Sequence, residues 1–258
     1  MTTPPHLLVE RTDGVARLTF NRAERLNALT AELLSETAAA VEGFGADPQV
    51  RVLVLTGAGR AFSSGADLSR SAVAGPQGVT IDAANRLIRA VRAAPQPVIA
   101  AINGPAVGVG CSIALAADLT VARESAYLLL AFTRVGLMPD GGATALLPAL
   151  IGSARAARMA MLAERIPATQ AADWGLLSHV VPDSDFEAET DSITAQLATG
   201  PTAAHTRIKR AFNKTALTHL ESALQFEREA QAELFETEDV REGVAAFAAK
   251  RPPRFLGR

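Results

Sequence analysis

The sequence predicts an α/β fold followed by a region that is entirely helical. Patterns typical of strands and helices alternate as far as about residue 182, and from Ser184 onward the pattern is helical. Two buried apolar runs, 50–56 and 98–102, each lead into a glycine-rich stretch, as at the ends of strands in a parallel sheet. We therefore divide the chain into a core, residues 1–195, and a helical C-terminal region, residues 196–258.

The strands are predicted from apolar runs and from the turn signals between them. Asp13-Gly14 separates the first two runs, and an Asp-Gly pair between apolar segments is a strong hairpin signal. The predicted strands, in chain order, are 7–10, 15–20, 50–56, 98–102, 118–122, 127–130 and 177–181.

The helices are predicted from helical periodicity, caps and breakers. Thr30 is the expected N-cap of the first helix, and Pro95 and Pro97 stop the second. The predicted helices of the core are 30–44, 80–94, 108–116, 140–150, 153–163 and 169–174. The stretch 57–78 is rich in Gly, Ser and Ala and is predicted to be a mobile loop.

Composition and charge exclude several classes of protein. The chain has 258 residues, 48% of them hydrophobic, and a net charge of −2, so no attraction to nucleic acid or to an anionic membrane is expected. The single cysteine, Cys111, excludes an internal disulfide, and no Cys/His cluster has metal-ligand spacing. Met1–Val9 lacks the apolar region of a signal peptide, and no apolar run approaches the ~20 residues that span a bilayer. We expect a cytoplasmic protein without a metal.

The two glycine-rich stretches, 57–68 and 103–112, are the candidate functional features. Each follows a predicted strand, so each exposes backbone N–H groups at a sharp turn. Two such turns facing each other bind a negative charge that develops on a carbonyl oxygen. Tight packing between strand and helix explains the second stretch equally well. The first stretch fails as a dinucleotide fingerprint because Phe62 replaces the third glycine, and as a nucleophile elbow because Ala61 replaces a glycine.

Asp140 precedes Gly141-Gly142 at a predicted helix start. Its local sequence favours an N-cap, worth ~1 kcal/mol, over a catalytic base. Asp67 is likewise interpreted as a cap for the segment after the first turn.

Five segments, in order along the chain, carry a resemblance to a known family. They are R-L-N-A-L at 25–29, A-F-S-S-G-A-D-L at 61–68, the N-G…G-V-G-C stretch at 103–111, G-L-M-P with Gly142 and Thr144 at 136–144, and the E-G…K-R-P tail at 242–252. With these segments the chain resembles the crotonase, or enoyl-CoA hydratase/isomerase, superfamily, and the match runs nearly end to end.

The resemblance implies a crotonase-like spiral of β-β-α turns with a helical C-terminal region that mediates trimer contacts. It implies an acyl-CoA substrate, a homotrimer or hexamer, and no separate cofactor. The backbone N–H groups of Ala66 and Val109 are the implied oxyanion donors, and the valine side chain is expected to narrow the acyl pocket. The implied residues that bind substrate or CoA are Arg22, Arg25, Leu26, Ala28, Ser64, Ala66, Asp67, Leu68, Gly108, Phe132 and, from a neighbouring subunit, Phe247 and Lys250.

The catalytic carboxylates depart from the pattern of family hydratases. Those enzymes use two glutamates, and this chain has Ser112 and Phe132 at the matching positions. The segment from Gly136 to Gly142 is similar to the phenylacetate-degradation isomerase branch, where the aspartate matching Asp140 shuttles a proton. The resemblance thus favours an enoyl-CoA isomerase with Asp140 as the proton carrier. A non-catalytic acyl-CoA-binding protein, a hydratase and a ring-opening acyl-CoA isomerase are the alternatives.

Overall fold

The computed structural model describes residues 4–68 and 78–258 of the chain. It confirms the predicted α/β fold. Residues 69–77, which belong to the predicted loop at 57–78, lie outside the described residues.

Six of the described strands form a large sheet in the order β1-β2-β3-β4-β6-β9, in which β1 is antiparallel to β2 and the other neighbours are parallel. A small sheet has the order β5-β7-β8. The predicted hairpin is present, with Asp13 and Gly14 both at positive φ in its turn. The strands are β1 Leu7–Thr12, β2 Val15–Phe20, β3 Val52–Gly57, β4 Val98–Ile102, β5 Ala106–Val107, β6 Leu119–Arg123, β7 Tyr127–Leu129, β8 Ile166–Pro167 and β9 His179–Val181.

The helices follow the sequence prediction closely in the core. Thr30 caps α1 as predicted, since its hydroxyl accepts from the Leu33 N–H. The helices are α1 Ala31–Gly45, α2 Val79–Ala93, α3 Val109–Ala116, α4 Ala143–Leu162, α5 Ala168–Trp174, α6 Phe186–Thr199, α7 Thr202–Ala216, α8 Leu220–Phe235 and α9 Glu238–Ala248. Short 3₁₀ helices lie at Ala23–Arg25 and Phe132–Val135.

The chain winds as successive β-β-α turns. In each turn one strand enters the large sheet, the next segment enters the small sheet, and a helix follows. The pairs are β4 with β5, then β6 with β7; β3 is followed by Ser63, which bridges to Ala106 of β5. This arrangement brings the segments after Ser63, β5 and β7 to one end of the molecule, and these segments carry Ala66, Val109 and Asp140.

Helix α6 extends the core beyond the predicted boundary. It packs on β3 and β6 in an apolar cluster that includes Val54, Val121 and Phe186. The predicted division after residue 195 therefore lies inside a helix that packs on the core. The junction between α6 and the next helix, α7, is at Gly200-Pro201.

Helix α4 is a candidate membrane span by length and apolar composition alone. The sequence predicts two helices here, 140–150 and 153–163, and the structure has a kink between them. Gly152 has φ 72° and ψ 162°, which breaks the helical path in its middle. Neither half approaches the ~20 residues that a helical span requires.

Candidate active site

The first glycine-rich turn is held by two buried asparagines. The Nδ2 of Asn27 donates to the carbonyls of Ala58 (2.9 Å) and Ala61 (2.7 Å). The Nδ2 of Asn103 donates to the carbonyl of Gly59 at 2.9 Å. Both asparagines lie in segments that carried the family resemblance, but their role as clamps was not predicted from sequence.

The two glycine-rich turns lie side by side. The Val107 N–H donates to the Ser63 carbonyl at 2.9 Å, and Ser63 bridges to Ala106 in parallel register. A Cβ built on Gly108 would lie 3.7 Å from the Cα of Gly65, so the two backbones are in contact.

The predicted oxyanion donors occupy matching positions in these turns. Ala66 comes three residues after Ser63, and Val109 three residues after Ala106. Each donor follows a glycine at positive φ, Gly65 at 92° and Gly108 at 54°, a backbone conformation that side chains with a Cβ rarely adopt.

Both donor groups are available. Within residues 4–68 and 78–258, neither the Ala66 N–H nor the Val109 N–H donates to a protein acceptor. Val109 is the first residue of α3, where a backbone N–H has no partner within the helix and the helix dipole favours negative charge. The geometry suits an oxygen that becomes negatively charged.

Asp140 lies in the third of the successive segments, directly beside the second turn. Its main-chain oxygen accepts from the Ser112 hydroxyl of α3 at 2.7 Å. A Cβ built on Gly141 would lie 3.3 Å from the Cγ2 of Val109, so the residue after Asp140 contacts the donor residue itself.

The carboxyl group of Asp140 has two different oxygens. Oδ2 accepts from the Gln231 Nε2 at 3.0 Å. Oδ1 is buried and, among the described residues, has no hydrogen-bond partner. Burial raises the pKa of this carboxyl to about 7; the Gln231 hydrogen bond opposes the rise, and the nearby Glu227 adds to it. A carboxyl with such a pKa can both accept and return a proton near neutral pH.

The interpretation of Asp140 as a helix cap is wrong. Helix α4 begins at Ala143 and has no side-chain cap from Asp140; two of the N–H groups at its start donate to Glu227 of α8. The Glu227 carboxylate accepts from the Gly142 N–H (2.7 Å), the Thr144 N–H (2.9 Å) and the Thr144 hydroxyl (2.6 Å). Since Glu227 occupies the end of the helix, the Asp140 carboxyl is left free for another role.

Glu227 and Gln231 were not predicted from sequence. They lie with Leu224 on the buried face of α8, at spacings of three and seven residues from it. The signal was present as two polar residues on the core-facing stripe of a helix, where polar groups require partners.

The two hydratase positions contain no acid. The Ser112 hydroxyl donates to the Asp140 main chain, and Phe132 is buried, with its Cζ 3.9 Å from a Cβ built on Gly108. Phe132 therefore lies against the second turn as an apolar wall, and its contact with substrate stays a prediction. Val109 is also buried and directs a methyl group towards Gly141, and its effect on the acyl pocket stays a prediction.

The predicted CoA-contacting segment at 25–29 lies along the first turn. The Leu29 N–H donates to the Gly65 carbonyl, and the Ser64 N–H to that of Leu26. Leu26 has a left-handed backbone, Ala28 lies between these two contacts, and Leu68 is half-buried at the end of the described segment.

Arg22 and Arg25 differ in their surroundings. The Arg22 guanidinium is mostly buried and donates to the Ala28 carbonyl (2.6 Å) and the Asp67 carboxylate (3.0 Å). The Arg22 side chain is thus bound within the turn, whereas Arg25 is exposed, and contact of either residue with CoA stays a prediction. The segment that Asp67 was expected to cap lies outside the described residues, and Asp67 pairs with Arg22.

Phe247 and Lys250 lie at the end of α9. Phe247 is 62% exposed and lines a cavity of about 410 Å³ with Arg134, Leu162 and Phe255. Lys250 is exposed just beyond the helix. The structure does not place either residue in contact with the two glycine-rich turns, and their contribution to a neighbouring subunit stays a prediction.

Comparison with known proteins agrees with this geometry. A family model described as enoyl-CoA hydratase/isomerase matches residues 10–258. A Rhodobacter capsulatus protein named probable enoyl-CoA hydratase is 45% identical, with 96% of this chain and 97% of the relative covered. A 1,2-epoxyphenylacetyl-CoA isomerase of Escherichia coli is 40% identical, with 95% and 96% covered.

A solved structure gives the same result for the fold. The crystal structure of an enoyl-CoA hydratase from Mycobacterium avium subsp. paratuberculosis has a TM-score of 0.93 and 46% identity, with 98% of this chain and 99% of that chain covered. The fold, the family model and these relatives together place the chain in the enoyl-CoA hydratase/isomerase family, whose crotonase fold it shares.

Proposed function

We propose that the protein is an enoyl-CoA isomerase that moves a carbon–carbon double bond, with Asp140 as its single proton carrier. The observation that carries this proposal is the Asp140 carboxyl: the next residue, Gly141, packs against the Val109 side chain, Oδ1 of the carboxyl is buried without a partner among the described residues, and burial raises its pKa to about 7.

The reaction follows from these groups. The thioester oxygen binds between the N–H groups of Ala66 and Val109. Asp140 removes a proton from the γ- or α-carbon, and the electron pair moves into a dienolate whose oxygen is negative. The same carboxyl returns the proton to the other of these two carbons, two positions along the chain, so the product has the same atoms as the substrate. Each oxyanion donor contributes ~10²–10³ in rate and the base ~10²–10⁴.

Hydration is disfavoured because it needs one group to activate water and another to deliver or relay a proton. Ser112 and Phe132 supply neither. Glu227 is the nearby acid of the described chain that affects Asp140, and its two oxygens already accept three hydrogen bonds from the start of α4.

A ring-opening isomerisation of an acyl-CoA is the second candidate. It is favoured by the 40% identity to the Escherichia coli 1,2-epoxyphenylacetyl-CoA isomerase, and it too leaves the atoms unchanged. Assembly as a homotrimer or hexamer and a cytoplasmic location remain part of this proposal. Exposed apolar side chains of the C-terminal region, among them Phe247 and Leu256, are consistent with contacts between subunits.

A panel of acyl-CoA substrates tests the proposal. We expect products of unchanged mass from 3-enoyl-CoA substrates, little product that has gained water, and a loss of at least ~10² in kcat for Asp140→Asn. Undiminished isomerisation by Asp140→Asn would refute the role of Asp140. Tight acyl-CoA binding without any turnover across the panel would instead identify a binding protein.

A further inference from the structure

We propose that Gln231 is a positioning residue that holds Oδ2 of Asp140 and so assigns Oδ1 as the oxygen that takes up and returns the substrate proton. The inference rests on the proposed isomerase function. It adds a residue of the C-terminal region to a site otherwise built from the core.

Gln231 donates hydrogen bonds to two groups of the loop that contains Asp140. It is buried on α8, with 2% of its surface exposed. Its Nε2 donates to the Met138 carbonyl at 2.9 Å and to Oδ2 of Asp140 at 3.0 Å. Ser112 binds the same residue from the opposite side, through the main-chain oxygen of Asp140. Asp140 is therefore held at its backbone by α3 and at its carboxyl by α8.

The orientation of the Gln231 amide follows from its two acceptors. In the reversed orientation, Oε1 would face a carbonyl oxygen and a carboxylate oxygen, which repel it. In the observed orientation Oε1 is buried and, among the described residues, unpartnered. Buried polar atoms without partners are rare, and they are often found where function requires them. In this orientation Oε1 of Gln231 stays without a donor, and Nε2 of Gln231 is held as a hydrogen-bond donor to Asp140.

This contact makes the two oxygens of Asp140 chemically different. A lone pair of Oδ2 is engaged by Gln231, whereas Oδ1 is buried and has no hydrogen-bond partner within residues 4–68 and 78–258. In the first step the C–H bond of the substrate breaks, an O–H bond forms on Oδ1, and the electron pair moves to the thioester oxygen. In the second step the O–H bond breaks and a C–H bond forms at the other carbon. Because one oxygen performs both transfers, both occur on the same face of the substrate.

The charged and titratable groups around Asp140 are few in the described chain. Glu227 lies one turn before Gln231 on α8 and is bound to the N-terminus of α4. The elements that pack from the other sides contribute Ser112 and Val109 of α3. Gln231 is thus the side-chain donor that stabilises the ionised form of Asp140.

The experiment compares Gln231→Met with Gln225→Met, which makes the same change on the exposed face of the same helix. Steady-state kinetics across pH are combined with the infrared band of the protonated Asp140 carboxyl, identified by subtraction of the Asp140→Asn spectrum. We expect kcat of Gln231→Met to fall about tenfold or more with KM within about twofold. We also expect the pKa of Asp140 to rise, because the lost hydrogen bond favoured the anion.

A second variant guards against misfolding. Gln231→Glu keeps the length and volume of the side chain but places a second acid against Asp140. We expect repulsion between the two acids to raise the pKa of Asp140 and so to reduce kcat most strongly near and below neutral pH, where the carboxyl then keeps its proton and cannot act as the base.

The outcomes separate this proposal from the one on which it rests. Full activity of Asp140→Asn would overturn the isomerase mechanism and with it the role of Gln231. If Asp140→Asn is inactive while Gln231→Met matches Gln225→Met in kcat and in the infrared titration, only the role of Gln231 is overturned.

Discussion

The Asp140→Asn substitution is expected to change how the stability of the protein depends on pH. The pKa of this carboxyl is about 7 in the folded protein because it is buried, against an ordinary value of 3.8. Between these two values the folded state keeps a proton that the unfolded state has lost. The free energy of unfolding therefore decreases as pH rises from about 4 to 7, and levels off above the folded pKa.

The magnitude follows from the size of the pKa difference. About three pKa units correspond to about 4 kcal/mol as an upper limit. Asparagine does not ionise, so the variant lacks this loss. The substitution also changes the free energy of unfolding directly, because it places an amide where Oδ1 is buried. This contribution is the same at every pH. The stability of the variant relative to the parent should therefore increase by up to about 4 kcal/mol between pH 4 and pH 8.

Urea unfolding at a series of pH values, at one protein concentration, measures this difference. Glu242→Gln is a control of opposite sign, since hydrogen bonds from Arg251 and the Arg254 N–H lower the pKa of Glu242 to about 2. That variant should be less stable than the parent at neutral pH, and the deficit should disappear as pH falls through the range between 4.5 and 2. A constant stability difference between Asp140→Asn and the parent from pH 4 to pH 8 would refute the reasoning.

Two further predictions concern the turns and the CoA segment. Gly65→Ala should destabilise the protein by ~1–3 kcal/mol in thermal unfolding and lower kcat by ~10², because φ is 92° and the new Cβ would lie 2.9 Å from the Val107 carbonyl. Gly43→Ala is the control: it lies on the exposed face of α1 with no atom near its Cβ, and it should stabilise the protein slightly in the same assay. Arg22→Ala should lower the melting temperature, whereas Arg25→Ala should leave it unchanged and raise KM several-fold for an acyl-CoA but not for the acyl-pantetheine. Equal melting temperatures for Gly65→Ala and Gly43→Ala, or an unchanged KM in Arg25→Ala, would contradict them.

Local signals in the sequence were sufficient for most of the elements. The Asp13-Gly14 turn, the Thr30 cap and the buried runs that became β3 and β4 each depend on interactions within a few residues. The kink at Gly152 lies where the sequence predicts that one helix ends and the next begins. The family motifs also identified the paired turns, since a glycine before each donor reflects a local backbone requirement.

The sequence by itself determined the α/β fold class and the family, and it predicted the two oxyanion donors. Only the tertiary structure decided which groups the Asp140 side chain meets. Its local sequence favours a helix cap, but Glu227, 85 positions from Gly142, occupies the end of that helix. Gln231, 91 positions from Asp140, binds one oxygen of its carboxyl, while the other is buried without a partner in the described part of the chain. Competition for a helix terminus and the burial that raises a pKa both depend on which distant segments pack together, and no local pattern contains that information.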